Sequence, residues 1–298
     1  MNTKKSSILF AVSLLAALSL ACAVSLDLGQ PTTQPGDQIA TSVAATLAAR
    51  SAGEEQPTEL PPPSPTFTVH PTVTASPPEP DIVYRGISFS FEPSAALSVN
   101  AEQVPGQGDP ENPWSTPDHI RFTFVGYPLG DTFHEPVIHV YSVDAFEAVN
   151  PDVGQRLDHL QGVLDSRPAD PEVGVAHFFN AAQFIRAQEQ YLQFQNGSGV
   201  RFISQYGQAA SPIGWPHLFY TFQGLTADGR YYVSAVLPVT HPSLPEPDDV
   251  TMDEDFYDNF MNYAAEKEIQ LDGEAADSFQ PSLLILDEVM ESLRIEGE

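Results

Sequence analysis

Prolines crowd the stretch from Pro57 to Pro80 (PTELPPPSPTFTVHPTVTASPPEP). Proline lacks the N–H that helices and ladders require and holds φ near one value. The run therefore predicts an extended, solvated spacer, and no continuous core can pass through it. At about 3.1 Å per residue it would reach roughly 75 Å. Its Thr and Ser content also suits O-glycosylation. The spacer divides the chain into a short N-terminal part and a long stretch from Ile82 onward. That stretch is long enough for one substantial core.

Before the spacer, Lys4 and Lys5 precede an uncharged apolar run, Ile8 to Ala21. A membrane-spanning helix needs about 20 such residues, and this run is too short. It has the length of a secretory h-region. The run ends at Leu20-Ala21-Cys22-Ala23, and Cys22 is the only cysteine in the chain. These residues resemble the lipobox of bacterial lipoproteins, in which the Cys after a small residue is diacylated and becomes the new N-terminus. Ala21 fits that pattern; Ser19 departs from it, because the family prefers Leu, Val or Ile there. Two other readings stand beside it. Ala21-Cys22-Ala23 also forms an A-x-A site with cleavage after Ala23, or Cys22 is one more apolar residue of the run. The lipobox reading implies a signal peptide over 1–21, a lipid-anchored segment over 22–81 and one acidic domain over 82–298. Acyl chains would anchor the protein at about 0.8 kcal/mol per buried CH₂. Ile39, Val43 and Leu47 recur every four residues within Asp37–Arg50, a helical stripe that is marginal alone.

From Ile82 the pattern changes to alternating aromatic and β-branched residues. Ile82 to Phe91 reads as a strand with Ile87, Phe89 and Phe91 on one face, which Ala95 to Val99 would extend. Residues 100–118 read as a Gly/Pro/Asn-rich loop. His119 to Tyr127 alternates, and Val137 to Val143 is apolar on both faces, as a central strand would be. Val153, Leu157, Leu160 and Leu164 mark a helix that stops before Pro168. Residues 178–189 read as a further helix leading into a strand. Tyr191–Gln195, Val200–Tyr206, Leu218–Thr226 and Arg230–Val239 read as an antiparallel meander. Asn196-Gly197-Ser198-Gly199 and Asp228-Gly229 supply its turns. Thr251 with Glu254 suits a capping box. Phe256, Phe260, Met261 and Ala264 would then form a buried stripe, and Leu286, Val289, Met290 and Leu293 another. The expected class is α+β: an antiparallel sheet with a meander at about 190–239 and helices packed on it.

Charge excludes one large class. The chain has 12 Lys+Arg against 40 Asp+Glu, a net charge of −28. That is the wrong sign for a nucleic-acid binder. Beyond Asp81 the imbalance persists, at 9 against 33. Anionic membranes and phosphates would be repelled. One cysteine excludes a disulfide framework and multi-cysteine metal sites.

No phosphate loop, dinucleotide fingerprint, H-E-x-x-H or G-x-S-x-G is present, and nothing calls for a cofactor. Some constellations remain. If the strands at 119 and 137 pair, His119, His134 and His139 could hold a metal with an open position. The alternative is histidines with ordinary hydrogen bonds. Asp248, Asp249 and Asp253 could bind Ca²⁺, or complement the dipole of a helix beginning there. Gln193, Gln195, Gln205 and Gln223 interleave with aromatic residues, and Trp114 and Trp215 lie in Pro/Gly-rich loops. Amides with aromatic faces suit sugars, peptides or protein partners. The same residues also suit a half-buried sheet with a polar outer face.

Gly86-Ile-Ser-Phe-Ser-Phe91, the meander, and a last helix running into Glu291-Ser-Leu-Arg-Ile295 are similar to PsbP/Mog1-like domains. That resemblance implies binding or assembly rather than catalysis; the helices between 144 and 189 depart from the pattern. The expected function is a lipid-anchored extracytoplasmic protein of the cell envelope presenting a binding or structural domain. Its partners would be the membrane, through the anchor, and a protein or envelope polymer. The alternatives are a secreted form, an envelope hydrolase of polysaccharide or peptide, and a solute- or metal-binding component of a transporter.

Overall fold

The computed structural model describes residues 79–108, 114–176 and 180–297. Cys22, the signal, the 37–50 stripe, most of the spacer and His177 lie outside them. Among the described residues no helix is long and apolar enough to cross a membrane.

The fold is α+β. In chain order its strands are β1 (Ile82–Tyr84), β2 (Ile87–Phe89), β3 (Ser98–Val104), β4 (His119–Val125) and β5 (Val137–Ser142). Helices α1 (Val143–Val149) and α2 (Pro151–Ser166) follow. Then come β6 (Ala182–Phe194), β7 (Gly197–Gly207), β8 (Phe219–Thr226) and β9 (Tyr231–Pro238). Helices α3 (Glu254–Asp258), α4 (Phe260–Asp272) and α5 (Leu283–Ser292) precede β10 (Arg294–Ile295). Seven strands form one antiparallel sheet in the order β3-β4-β5-β9-β8-β7-β6. It is two meanders joined where β5 pairs with β9. The expected meander is its second half, and β5 is an interior strand as its two apolar faces required.

Both faces of this sheet are covered. Phe122, Ile138, Tyr220, Phe222 and Ala235 pack on one side against residues of α4 and α5 (Phe260, Leu286, Met290) and of β2 (Phe89). Val137, Tyr141, Phe202, Phe219 and Tyr232 pack on the other against Phe146, Val153, Leu157 and Leu160. Every residue of β8 is buried. The α2 helix is well delimited. Asn150 caps its start by accepting from the Val153 N–H, and Pro151 follows where no donor is needed. Arg167, left-handed at φ 46°, ends it.

Several expectations are corrected. Ile82–Phe91 is a hairpin, because Arg85 and Gly86 both take positive φ (47° and 74°) and turn β1 into β2. Residues 98–104 are an edge strand on β4, so 100–104 are strand rather than loop; their polar composition (NAEQV) hid it. Of the segment read as helix, residues 182–189 lie in β6. Its Ala, Gln and Arg favour helix, but pairing with β7 overrides that preference. Register shifts at Gln183/Ile185 and Ala187/Gln190, with Gln188 at φ 59°, also break the period-two pattern. Gly197 and Gly199 do not supply positive φ. They lie in β7 under aromatic rings: a Cβ on Gly199 would sit 2.4 Å from Phe222. Asp253, not Thr251, caps α3 by accepting from the Phe256 N–H at 3.0 Å. Met261 is exposed rather than part of the stripe.

Candidate functional site

The polar residues of the sheet interior are held by one another. Arg201 on β7 meets Asp287 on α5 in a two-point ion pair, at 3.1 and 2.9 Å, and donates to Gln190 Oε1 at 2.7 Å. Its third group donates to the Gln188 carbonyl. Tyr220 donates to the same carboxylate at 3.0 Å. Burial raises the pKa of Asp287, and the Arg201 hydrogen bonds and charge oppose the rise. Burial also pushes the Tyr220 hydroxyl well up.

Gln223, expected at a surface, is fully buried. Its oxygen accepts from the Ala176 N–H at 3.3 Å and from Tyr232. Its nitrogen donates to Thr221 and Ser234, at 2.8 and 3.0 Å. Gln205 is buried too. It accepts from the Gly214 N–H at 3.0 Å and donates to the Pro212 carbonyl at 2.9 Å. It therefore shapes the 208–218 loop from beneath. Both correct the expected ligand surface: the segment at Ala176 covers Gln223 and the 208–218 loop covers Gln205, so these amides have no outer face to occupy. Gln193 and Gln195 are exposed near the β6–β7 turn, where Gln195 donates to the Glu291 carbonyl at 3.0 Å. Trp114, 47% exposed, precedes β4 at that same end of the sheet. Trp215 lies at the opposite end.

The metal candidates separate in the same way. His119 and His139 stand side by side on β4 and β5, with ring centroids 5.1 Å apart. His134 lies before the start of β5, edge-on to Phe219 at 4.6 Å. Among the described residues no group of three or more His, Cys, Asp or Glu side chains is arranged to hold a metal ion. Asp248 and Asp249 lie in a short 3₁₀ turn, and Asp253 serves as the α3 cap.

A half-buried Ser–His contact connects His241 to Ser278 through Nε2 at 2.8 Å. Its polarity is wrong for a nucleophile. Nδ1 already accepts from the Ser243 N–H, and the Ser278 hydroxyl donates to the Ala275 carbonyl at 2.6 Å. The network assigns the proton to Nε2, so the imidazole donates to Ser278 and cannot act as its base.

At the Trp215 end two loops are stitched together. The Phe133 N–H donates to the Pro216 carbonyl at 3.0 Å, and Trp215 Nε1 reaches the Gly130 carbonyl at 3.5 Å. Between the 126–136 loop, the 208–218 loop and the entry to β6 lies a cleft of about 460 Å³. Phe133, His134, Asn180, Tyr206, Gln208, Ser211 and His217 line it. Its volume falls within the ~300–1,000 Å³ of small-ligand sites. Phe133 is 69% exposed and rests on the His217 ring, with centroids 5.0 Å apart. Burial lowers the pKa of His134 to about 4, with His217 adding to the effect, and burial lowers that of His217. Both imidazoles are thus neutral at pH 7. No family model, curated protein or solved structure matches the chain. The cleft's chemistry has to be read from its own residues. Of the candidate residues named from the sequence only His134 lines this cleft, and it stood there as a metal candidate; Trp215 lies outside the lining, and Phe133 and His217 carried no expectation. The signal available was an aromatic-histidine pair in each of two turn-rich loops, Phe133-His134 and Trp215-Pro216-His217.

Proposed function

We propose that this chain is a lipid-anchored extracytoplasmic binding protein whose contact site is the cleft at the Phe133–His217 end of the sheet. The observation that carries the reading is that cleft. It is lined by aromatic rings, amides and neutral imidazoles, with an exposed ring at its rim. The polar clusters elsewhere support a non-catalytic role, since their groups are consumed in holding helices and loops to the sheet. The apolar run ending at Cys22 supports the anchor, and the Pro-rich spacer supports presentation away from the membrane.

Two measurements test it. Intact mass of the membrane-derived chain beside a Cys22→Ala form checks the anchor. A diacylglyceryl addition on Cys22, absent from the variant, is expected; unmodified chain cleaved after Ala23 would remove the tether. For the site, the full chain is passed over isolated envelope polymer. Retention that falls in Phe133→Ala and persists in Trp114→Ala is expected. Equal retention of both variants would overturn the assignment of the cleft.

A further inference from the structure

Formal charge is missing from one place where this chain should have it. Beyond Asp81 there are 33 Asp+Glu and 9 Lys+Arg, yet none lines the Phe133–His217 cleft. The other clefts differ. The one beside His119 carries Arg85 and Asp118, the one on α2 carries Asp152, Arg156 and Glu172, and the one beside His241 carries Glu246. A site for an ionic ligand needs a complementary charge, because stripping a lone ion of water is costly. The surrounding carboxylates would moreover repel an anionic ligand.

What the cleft does offer is unspent hydrogen-bonding capacity next to an aromatic face. Gln208 donates to the Asn180 carbonyl at 2.9 Å, which leaves its own carbonyl oxygen without a donor among the described residues. The Asn180 side-chain amide and the His217 ring nitrogens likewise have no hydrogen-bond partner among the described residues. A neutral imidazole presents one donor and one acceptor, and an amide presents both kinds. Such a mixture matches hydroxyl groups, which also donate and accept. Phe133 adds a ring whose negative face attracts weakly positive C–H groups. A pyranose combines these features: hydroxyls around its edge and a C–H face.

Building on the binding role assigned to this cleft, we propose that it binds an uncharged saccharide, with Phe133 stacking on a sugar ring and Asn180, Gln208 and His217 hydrogen-bonding its hydroxyls. The lining distinguishes saccharides by charge, accepting neutral rings and rejecting uronates and amino sugars.

Calorimetry on the full chain tests this with defined probes. Cellotetraose, maltotetraose and fully N-acetylated chitotetraose are the neutral set. Tetragalacturonate and de-acetylated chitotetraose are charged counterparts of equal length. An acetylated, amidated Gly-Ser-Asn-Tyr peptide is the neutral non-sugar probe. At least one neutral tetrasaccharide should bind, at least tenfold more tightly than the charged ones. Phe133→Ala should weaken that binding at least tenfold while melting temperature shifts by no more than about 2 °C. Failure of all three neutral sugars, equal binding of charged ones, or indifference to Phe133→Ala overturns the saccharide assignment. If only the peptide binds, and Phe133→Ala abolishes it, the cleft is a binding site for something other than sugar. If no probe binds and envelope retention is also blind to Phe133→Ala, the binding reading falls with it.

Discussion

Around Arg201 the polar groups are turned inward and matched to one another, whereas around His217 they face solvent and wait for a complement. Both regions combine amides, aromatic rings and ionisable side chains. Their difference lies in cover. Arg201 sits under α5 and Gln223 under the segment at Ala176, where an unmatched group would cost about 1–3 kcal/mol or more. His217, Gln208 and Asn180 sit beyond the strand ends, where water matches them at little cost until a ligand displaces it. Polar residues of the same types therefore hold the fold together at one site and remain available for recognition at the other.

Leaving one interior charge without its partner should have the largest effect. Asp287→Ala strands the Arg201 guanidinium at 2% exposure. A loss of about 3–5 kcal/mol is expected, read as a lower denaturant midpoint. A loss below about 1 kcal/mol would show that the ion pair does not anchor α5.

The second effect depends on pH. His134 has an ordinary value of 6.5 when unfolded and about 4 in the folded chain. Between those values the unfolded chain binds more protons, so stability is full above pH 6.5 and falls as pH drops toward 4. The contribution is at most about 3 kcal/mol. A His134→Phe form should lose less stability over that window than the parent, by urea titration at each pH. Parallel pH curves would mean that the imbalance lies elsewhere.

Gly199→Ala probes the close packing of the interior. The new methyl would meet the Phe222 ring at 2.4 Å and the Gln223 carbonyl oxygen at 2.6 Å. A destabilisation of about 1–3 kcal/mol is expected in thermal unfolding. The smallest effect belongs to the cleft: Phe133→Ala should change stability by no more than about 0.5 kcal/mol. A larger drop would place Phe133 in the fold's support rather than in recognition.

Much of the architecture was readable from the residues. The alternation from Val200 to Val239, with Asp228-Gly229 between its last two strands, specified the meander. The spacing of Val153, Leu157, Leu160 and Leu164 specified α2. Reading failed where local preference and tertiary pairing disagreed. The first half of β6 is built from helix-favouring residues and interrupted by irregular register, so its period was lost. Gln223 and Gln205 failed for another reason: a glutamine among aromatics looks the same whether its outer side faces water or a covering loop.

The residues alone carried the order and type of most elements and the acidic character of the domain. Backbone propensity, side-chain period and charge are local quantities that each residue carries with it. Which amides would be buried, that β5 would join β9, and that Phe133 would meet His217 from a distant loop were decided only by the tertiary structure. Burial and contact between distant segments depend on how whole layers cover one another, and no window of sequence contains that information.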